Sequence, residues 1–246
     1  MTRFAIAGAE IFDGTKRRAQ HAVMVDGARI LDVVPEAVVP GDLPVHRLQG
    51  GVLAPGFVDA QVNGGGGVLL NDAPTAAGVR TICDAHARFG TTALLPTLIT
   101  DSPEITVKAV ASVKQAIAAA APGCLGLHLE GPFLSPERRG AHDANLMRVM
   151  TDADVDEILS LGIETLLITV SPDRVAPAII RRLVQGGVIV SLGHSNATYD
   201  QILAAVDAGA RGVTHLFNAM SPLTHRAPGI VGGALDSGAL WCGLIA

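Results

Sequence analysis

The segment that decides the fold runs from Thr91 to Glu130 and reads TTALLPTLITDSPEITVKAVASVKQAIAAAAPGCLGLHLE. It opens with a short apolar stretch, Thr91–Leu95, continues with an alanine-rich stretch suited to a helix, Pro103–Ala119, and closes with a second apolar stretch, Leu125–Glu130. Short apolar runs on either side of a helix-compatible stretch are typical of two buried parallel strands joined by a crossover helix. The segment therefore predicts a strand-helix-strand unit.

The same unit recurs along the chain from Gly51 onward. The predicted strands are Val52–Asp59, Thr91–Leu95, Leu125–Glu130, Thr165–Val170, Val188–Gly193, Gly212–Leu216 and Leu240–Ala246. Helical stretches fit between the strands, for example Thr75–Arg88, Pro103–Ala119, Asp173–Gln185 and Tyr199–Ala208, with Ser102, Ser171 and Thr198 near helix starts. A closed barrel of this kind needs eight strand-helix units. Seven strands therefore predict an α/β fold, a (β/α)8 TIM-like barrel that is incomplete in this chain.

The first fifty residues have a different pattern. Short apolar runs, Phe4–Ala7, Ala22–Val25 and Ile30–Val34, are separated by the turn dipeptides Asp13-Gly14 and Asp26-Gly27. This pattern predicts short antiparallel strands joined as hairpins. We predict a small β-sandwich domain over residues 1–50 and the barrel over residues 51–246. About 195 residues remain for a barrel that usually takes about 250, so we expect the C-terminal part of the barrel to be missing.

Composition excludes several classes of protein. Hydrophobic residues make up 49% of the chain and aromatic residues 3%, and the formal net charge of −5 lacks the basic excess of a nucleic-acid-binding protein. The longest uncharged stretch, Leu183–Tyr199, contains too many polar residues for a membrane span. The first residues do not have the pattern of a secretory peptide. We therefore expect a cytoplasmic protein without a nucleic-acid or membrane partner.

Three polar residues stand at or just after the carboxyl ends of predicted strands. Glu130 closes the third strand, His194 follows the fifth, and His215 lies in the sixth. Each of these residues alone is more often a structural or solvated side chain than a ligand. Together, at the edge where barrel active sites form, they predict a catalytic divalent metal site, since carboxylate oxygen and imidazole nitrogen suit zinc or iron.

Three other features have weaker functional signals. The Gly64–Gly67 run lacks the third glycine of a dinucleotide fingerprint and the Gly-Lys-Ser/Thr of a phosphate loop, so it predicts an ordinary loop close to a ligand or metal. His142 is an isolated histidine in the long loop after the third strand. Arg226 is a loop arginine, and loop arginines are usually solvated. Its planar guanidinium group would nevertheless suit the phosphate of an anionic substrate.

Four strings of sequence carry a specific resemblance when they are taken together. They are Pro55–Gly65, His128–Phe133 with Gly140–His142, Gly193–Tyr199, and Thr214–Met220 with Arg226–Gly229. In this order they closely resemble the N-acetylglucosamine-6-phosphate deacetylases of the amidohydrolase superfamily. The resemblance implies a (β/α)8 barrel with a small β-sandwich domain, in a homodimer or homotetramer.

The resemblance also implies the residues of the site. The implied metal ligands are Glu130, His194 and His215, and the implied substrate contacts are Ala141, His142, Asn218, Ala219 and Arg226. Many amidohydrolases bind a second metal through His-x-His on the first strand, where this chain has Gln61-Val62-Asn63. Neutral amides are weak ligands, so we expect one divalent ion per subunit, zinc by preference, with iron, cobalt or manganese as alternatives.

The implied reaction is metal-dependent hydrolysis of the acetamide of N-acetylglucosamine 6-phosphate to glucosamine 6-phosphate and acetate, in amino-sugar catabolism. His142 would hydrogen-bond the developing oxyanion. The general base of the family is an aspartate on the eighth strand, which is expected beyond Ala246, so no catalytic base is assigned in this chain. Two alternatives stay open. One is a related substrate such as N-acetylgalactosamine 6-phosphate, and the other is a fragment that binds metal or sugar phosphate without turnover.

Overall fold

A computed structural model of the chain describes residues 3–245 and divides into two compact units, Met1–Gly56 and Phe57–Ala246. Strands of the first unit are β1 (Arg3–Ala7), β2 (Glu10–Phe12), β3 (Arg17–Arg18), β4 (His21–Asp26), β5 (Arg29–Pro35), β6 (Val45–Arg47) and β7 (Val52–Leu53). They form two sheets with strand orders β5-β4-β1-β6 and β3-β2-β7. A small core of alanines, Ala5, Ala7 and Ala22, is buried in this unit.

The predicted hairpins are present in the first unit. Strands β4 and β5 pair antiparallel, with Asp26 opposite Arg29, and Gly27 takes a positive φ of 59° in the tight connection between them. At the other predicted turn, the Asp13 carboxylate accepts the backbone N–H groups of Thr15 and Lys16. The sheets also contain parallel pairs, β1 with β6 and β2 with β7, which the expectation of antiparallel strands did not include.

The second unit alternates strands and helices. Its strands are β8 (Phe57–Val62), β9 (Gly64–Gly65), β10 (Val68–Leu69), β11 (Thr91–Ile99), β12 (Leu127–Glu130), β13 (Leu166–Val170), β14 (Ile189–Leu192), β15 (Gly212–Val213) and β16 (Trp241–Cys242). Its helices are α1 (Ala76–Ala87), α2 (Pro103–Ala118), α3 (Asp152–Ser160), α4 (Pro177–Gln185), α5 (Tyr199–Asp207) and α6 (Gly229–Asp236). Seven of the strands form one parallel sheet of order β16-β15-β14-β13-β12-β11-β8. This architecture confirms the predicted incomplete (β/α)8 barrel.

The sheet is open within residues 3–245, and β8 and β16 are its edge strands. Large apolar side chains lie exposed on these edges, with Phe57 69% and Trp241 84% exposed. The inner strands, by contrast, are buried on both faces, as in β12 and β13, where every residue is buried. The packed core therefore lies around the middle of the sheet and not at its edges.

Several predicted boundaries were wrong for identifiable physical reasons. The stretch Val52–Asp59 is two strands, because Val52–Leu53 pairs with β2 while the barrel strand begins at Phe57. Strand β11 continues through Pro96 to Ile99, because Pro96 lies at a register shift against β8, where a missing N–H interrupts no regular ladder. The Gly64–Gly67 run forms β9 and the turn of a hairpin with β10, with positive φ at Gly66 and Gly67.

The helix starts were predicted with mixed success. Ser102 caps α2 by accepting the backbone N–H of Ile105, and Thr198 forms a capping box at the start of α5. Ser171 caps no helix, because α4 begins only at Pro177 after Ala176, which the following proline holds in an extended conformation. Helices α3 and α6 were not among those predicted. None of the helices within residues 3–245 has the length and apolar character needed to cross a membrane.

Candidate metal centre and active site

Three side chains meet at the carboxyl ends of the barrel strands β12, β14 and β15. Glu130 ends β12, while His194 and His215 each follow two residues after the last residue of β14 and β15. Their Oε1 and Nε2 atoms form a tight triangle, with 3.1 Å from Glu130 to His194, 3.0 Å from Glu130 to His215, and 3.0 Å between the histidines. All three residues are buried. The structure thus brings together the three residues predicted as metal ligands.

Both histidines have a strained backbone. His194 has a φ of +47° and His215 a φ of +37°, in a region that non-glycine residues enter at a cost of about 1–3 kcal/mol each. Backbone hydrogen bonds hold the residues that follow them, from Ser195 N–H to the Ala219 carbonyl at 3.1 Å and from Leu216 N–H to the Gly243 carbonyl at 2.8 Å. Strain of this kind is typical of positions whose side chains must point in one direction.

The protonation of His194 is set by its neighbour. Its Nδ1 lies 2.7 Å from the Arg138 carbonyl oxygen, which can only accept, so Nδ1 carries a proton and a neutral ring turns a lone pair at Nε2 toward Glu130. A carboxylate oxygen and an unprotonated nitrogen 3.1 Å apart repel each other unless a proton or a metal cation lies between them. The donor set and its orientation therefore fit a divalent cation such as zinc.

The ionised form of Glu130 is strongly favoured by its surroundings. Burial alone would raise the pKa of its carboxyl, but the imidazole rings of His142, His194 and His215 that surround it outweigh that effect and hold the pKa far below its usual range. The Gln61 side chain also donates its amide N–H to Glu130 Oε1 at 3.0 Å. Gln61 thus supports the carboxylate as a hydrogen-bond donor.

His142 is buried beside the triangle, and its ring nitrogen Nε2 lies 3.7 Å from Glu130 Oε2. Its other nitrogen, Nδ1, accepts the backbone N–H of Thr100 at 3.2 Å and lies 2.8 Å from the Thr100 hydroxyl. Because a backbone N–H can only donate, Nδ1 is the unprotonated nitrogen and Nε2 carries the proton. His142 therefore presents an N–H donor to the space in front of Glu130.

The remaining predicted contacts lie on the loops around the triangle. Ala141 is exposed next to His142, and Asn218 and Ala219 are in the turn that follows His215. Arg226 lies in the loop that precedes α6. Its exposed side chain lines a cavity of about 430 Å³ that also includes Asn196, a loop residue two positions after His194. The structure therefore gathers four of the predicted residues at one centre and places the others on the surrounding loops.

The chain matches two family models that together cover most of its length. Residues 52–242 match the model of the amidohydrolase family, and residues 3–53 match the NagA composite domain. The chain belongs to the amidohydrolase family. The resemblance predicted from the four sequence strings is confirmed by these matches.

Individual relatives of this amidohydrolase have more specific names than the family. It is 47% identical over 204 residues to an N-acetylgalactosamine-6-phosphate deacetylase of Shewanella sp. (strain ANA-3), covering 83% of this chain and 52% of that protein. It is 35% identical over 236 residues to an N-acetylglucosamine-6-phosphate deacetylase of Haemophilus influenzae, covering 96% of this chain and 62% of that protein. The crystal structure of N-acetylglucosamine-6-phosphate deacetylase from Pasteurella multocida superposes with a TM-score of 0.92 at 36% identity, covering 98% of this chain and 64% of that chain. The amidohydrolase described here thus spans between about half and three fifths of the length of these curated relatives.

Sequence reasoning missed one residue of this amidohydrolase's site. Thr100, which fixes the protonated nitrogen of His142, directly follows the end of β11 at Ile99. A polar residue just after a strand is the same signal that identified Glu130 and His194. Thr100 was overlooked because the predicted strand stopped at Leu95, before Pro96.

A hydrogen-bonded polar layer also crosses the interior of the amidohydrolase barrel. Burial lowers the pKa of His128 to about 4, so its ring is neutral at pH 7. The ring lies between Thr97, 3.2 Å from Nδ1, and Thr169, 2.7 Å from Nε2. The Thr169 hydroxyl in turn contacts that of Thr214 at 2.7 Å, and Thr214 contacts Ser191 at 2.7 Å. Barrel interiors are usually filled by branched apolar residues, so this layer is an unusual feature.

Proposed function

We propose that this chain is a metal-dependent deacetylase that hydrolyses the acetamide of N-acetylglucosamine 6-phosphate to glucosamine 6-phosphate and acetate. The observation that carries the proposal is the buried triangle of Glu130, His194 and His215, whose three donor atoms lie 3.0–3.1 Å apart. The chain is also similar in sequence to relatives that are named as deacetylases of amino-sugar phosphates.

Zinc is the proposed ion, because one carboxylate oxygen and two imidazole nitrogens form a donor set that zinc accepts readily. Iron, cobalt and manganese accept the same donors and are the alternatives. A divalent ion held by these residues would act as a Lewis acid and lower the pKa of a bound water toward about 7. Glu130 is suited to be a ligand and not a proton acceptor, since its pKa lies far below neutrality.

The other residues of the site would bind and orient the substrate. The proton on His142 Nε2 is available to donate to the oxygen of the acetamide as negative charge develops on it. The Asn218 amide and the backbone at Ala141 and Ala219 would contact the sugar. Arg226, exposed in its cavity, would bind the phosphate through two parallel N–H groups.

A second candidate substrate is N-acetylgalactosamine 6-phosphate, which differs from the first at one hydroxyl group. The observation that favours it is the 47% identity to a relative named as a deacetylase of that sugar phosphate, against 35% to the relative from Haemophilus influenzae that is named as an N-acetylglucosamine-6-phosphate deacetylase. The reaction and the roles of Glu130, His194 and His215 would be unchanged. We further propose a cytoplasmic homodimer or homotetramer, which light scattering coupled to gel filtration would test.

Acetate release by the purified, zinc-loaded protein, produced with any residues that its gene encodes after Ala246, tests the proposal. The two 6-phosphates and unphosphorylated N-acetylglucosamine are the substrates, and His215→Asn is compared with His225→Asn, a substitution of an exposed loop histidine. We expect turnover of a 6-phosphate that is lost in the first variant and kept in the second. Faster turnover of the galactosamine substrate would select the second candidate. Binding of zinc and sugar phosphate without acetate release would replace the proposal by a binding function.

A further inference from the structure

Three serine hydroxyls meet at one carboxylate near the metal centre. Asp173 accepts from Ser135 at 2.7 Å on Oδ2, and from Ser195 at 2.5 Å and Ser171 on Oδ1. The serines are 0–1% exposed, whereas Asp173 is half-buried. The Ser135 hydroxyl also lies 3.0 Å from the Glu137 carboxylate. Its single hydrogen can therefore be donated to either Asp173 or Glu137. None of these residues belongs to the site as described above.

The three serines come from the ends of three adjacent strands. Ser135 lies in the loop after β12, Ser171 directly follows β13, and Ser195 is in the loop after β14. Asp173 therefore links the ends of three separate strands through hydrogen bonds. A charged acceptor is suited to this role, because a carboxylate has lone pairs for several donors and hydrogen bonds to charged groups are stronger than neutral ones.

Two of these serines also hold His194 on either side. The backbone N–H of Ser135 donates to the His194 carbonyl oxygen at 2.9 Å, and Ser195 is the next residue in the chain. The Ser195 hydroxyl additionally accepts the backbone N–H of Ala197 at 2.9 Å. His194 needs such support because its φ of +47° is unfavourable for a residue with a side chain. Release of these contacts would let the backbone relax and move Nε2 away from Glu130.

We infer that Asp173 is a positioning residue that keeps His194 in its strained, ligand-competent conformation by way of Ser135 and Ser195. The inference rests on the metal-binding role proposed above for His194. By this inference Asp173 affects metal binding indirectly, through the position of His194. The Asp173 carboxylate itself does not contact Glu130, His194 or His215. The hydrogen bonds from the serines also hold the pKa of Asp173 below its usual value against the opposing effect of burial.

Asp173→Asn tests this inference, since the amide keeps the shape of the side chain but replaces one acceptor oxygen by a donor. Ser195→Ala is a milder second variant that removes one of the two links to His194. The matched control is Asp154→Asn, which likewise removes a carboxylate bound by several donors, but one in helix α3. All four proteins are assayed for zinc affinity by competition with a chelator, and for the visible spectrum of bound Co²⁺, which reports ligand geometry.

We expect Asp173→Asn to weaken zinc binding by about tenfold or more and to alter the Co²⁺ spectrum. Ser195→Ala should give a smaller change in the same direction, and Asp154→Asn should leave zinc affinity within twofold of the parent. Unchanged zinc affinity and Co²⁺ spectrum in Asp173→Asn would overturn the inference, even if the variant were less stable.

A second measurement on the metal-free protein separates this inference from the proposed function. Hydrogen exchange at the backbone amide of Ser135, which donates to the His194 carbonyl, should accelerate about tenfold in Asp173→Asn but not in Asp154→Asn. If the parent chain bound no zinc, the proposed function would fail while this exchange measurement still decided whether Asp173 holds His194. Equal exchange rates at Ser135 in the parent and in Asp173→Asn would overturn the inference.

Discussion

The polar layer inside the barrel predicts a large loss of stability for Thr169→Val. The substitution keeps the size and branching of a side chain that is 0% exposed, so it opens no cavity. It removes the hydroxyl that lies 2.7 Å from His128 Nε2 and 2.7 Å from the Thr214 hydroxyl. Thr214 keeps its contact with Ser191, but His128 loses the partner of one ring nitrogen in a place that water does not reach.

The expected magnitude follows from these contacts. A buried polar group left without a partner costs about 1–3 kcal/mol, and the lost hydrogen bond to Thr214 costs about 1 kcal/mol more. The added methyl group of valine stabilises the folded state by about 1 kcal/mol through burial of apolar surface. We therefore expect the free energy of unfolding to fall by about 2 kcal/mol.

Urea unfolding followed by far-ultraviolet circular dichroism measures this change. Thr169→Ser is the matched variant, since it keeps the hydroxyl and loses only a methyl group, at a cost of about 1 kcal/mol. The order of stability should be parent, then serine variant, then valine variant. A valine variant as stable as the parent, or more stable than the serine variant, would refute the idea that the hydrogen-bonded layer stabilises the barrel.

Three further changes test the site and the fold. Glu130→Gln should lower bound zinc, measured by elemental analysis, to less than about a tenth of the parent content, because it removes the one charged ligand. Arg226→Ala should raise KM about tenfold or more for the phosphorylated sugar and leave KM for its unphosphorylated analogue nearly unchanged, as steady-state kinetics would show. Asp154→Asn should lower the free energy of unfolding at pH 7 by about 1–2 kcal/mol, because the Arg148 guanidinium and Thr151 lower the pKa of Asp154 to about 2.

Each of these three predictions can be contradicted by a defined result. Zinc content in Glu130→Gln equal to that of the parent would contradict the ligand assignment, and an equal rise in KM for both sugars would remove Arg226 from the phosphate site. The Asp154 effect has a defined pH dependence, because its carboxyl has a lower pKa in the folded than in the unfolded protein. Its stabilisation is fully present above about pH 4 and disappears as the pH falls toward 2, so the parent and Asp154→Asn should converge in acid.

The barrel could be predicted from sequence because the strands are short apolar runs that alternate with helix-compatible stretches. The exceptions are local. Pro96 looks like the end of a strand, yet it lies within β11 at a register shift that only the pairing with β8 reveals. Helix α6 contains three glycines in eight residues, and its position depends on close packing, since a Cβ at Gly233 would lie 2.9 Å from Ile202. Such tertiary contacts leave no periodic pattern in the sequence.

The proposed ligands were accessible to sequence reasoning because each is a polar residue at the end of an apolar strand. The residues that support them were not. Asp173 was assigned to a helix with Ser171 at its start, whereas the structure joins the two side chains to each other and to the loops after β12 and β14. A network assembled from residues 135, 171, 173 and 195 depends on which strand ends are neighbours in space. Spacing along the chain does not encode that proximity.

The open edge of the barrel sheet has an optical consequence. Trp241 is the single tryptophan of the chain, and on edge strand β16 it is 84% exposed. Its indole therefore emits from a water-like environment, and a strand or chain that paired with β16 and packed against the indole would remove that water and shift the emission to shorter wavelength. Intrinsic fluorescence can thus follow the covering of this edge in solution without a label or a change in sequence.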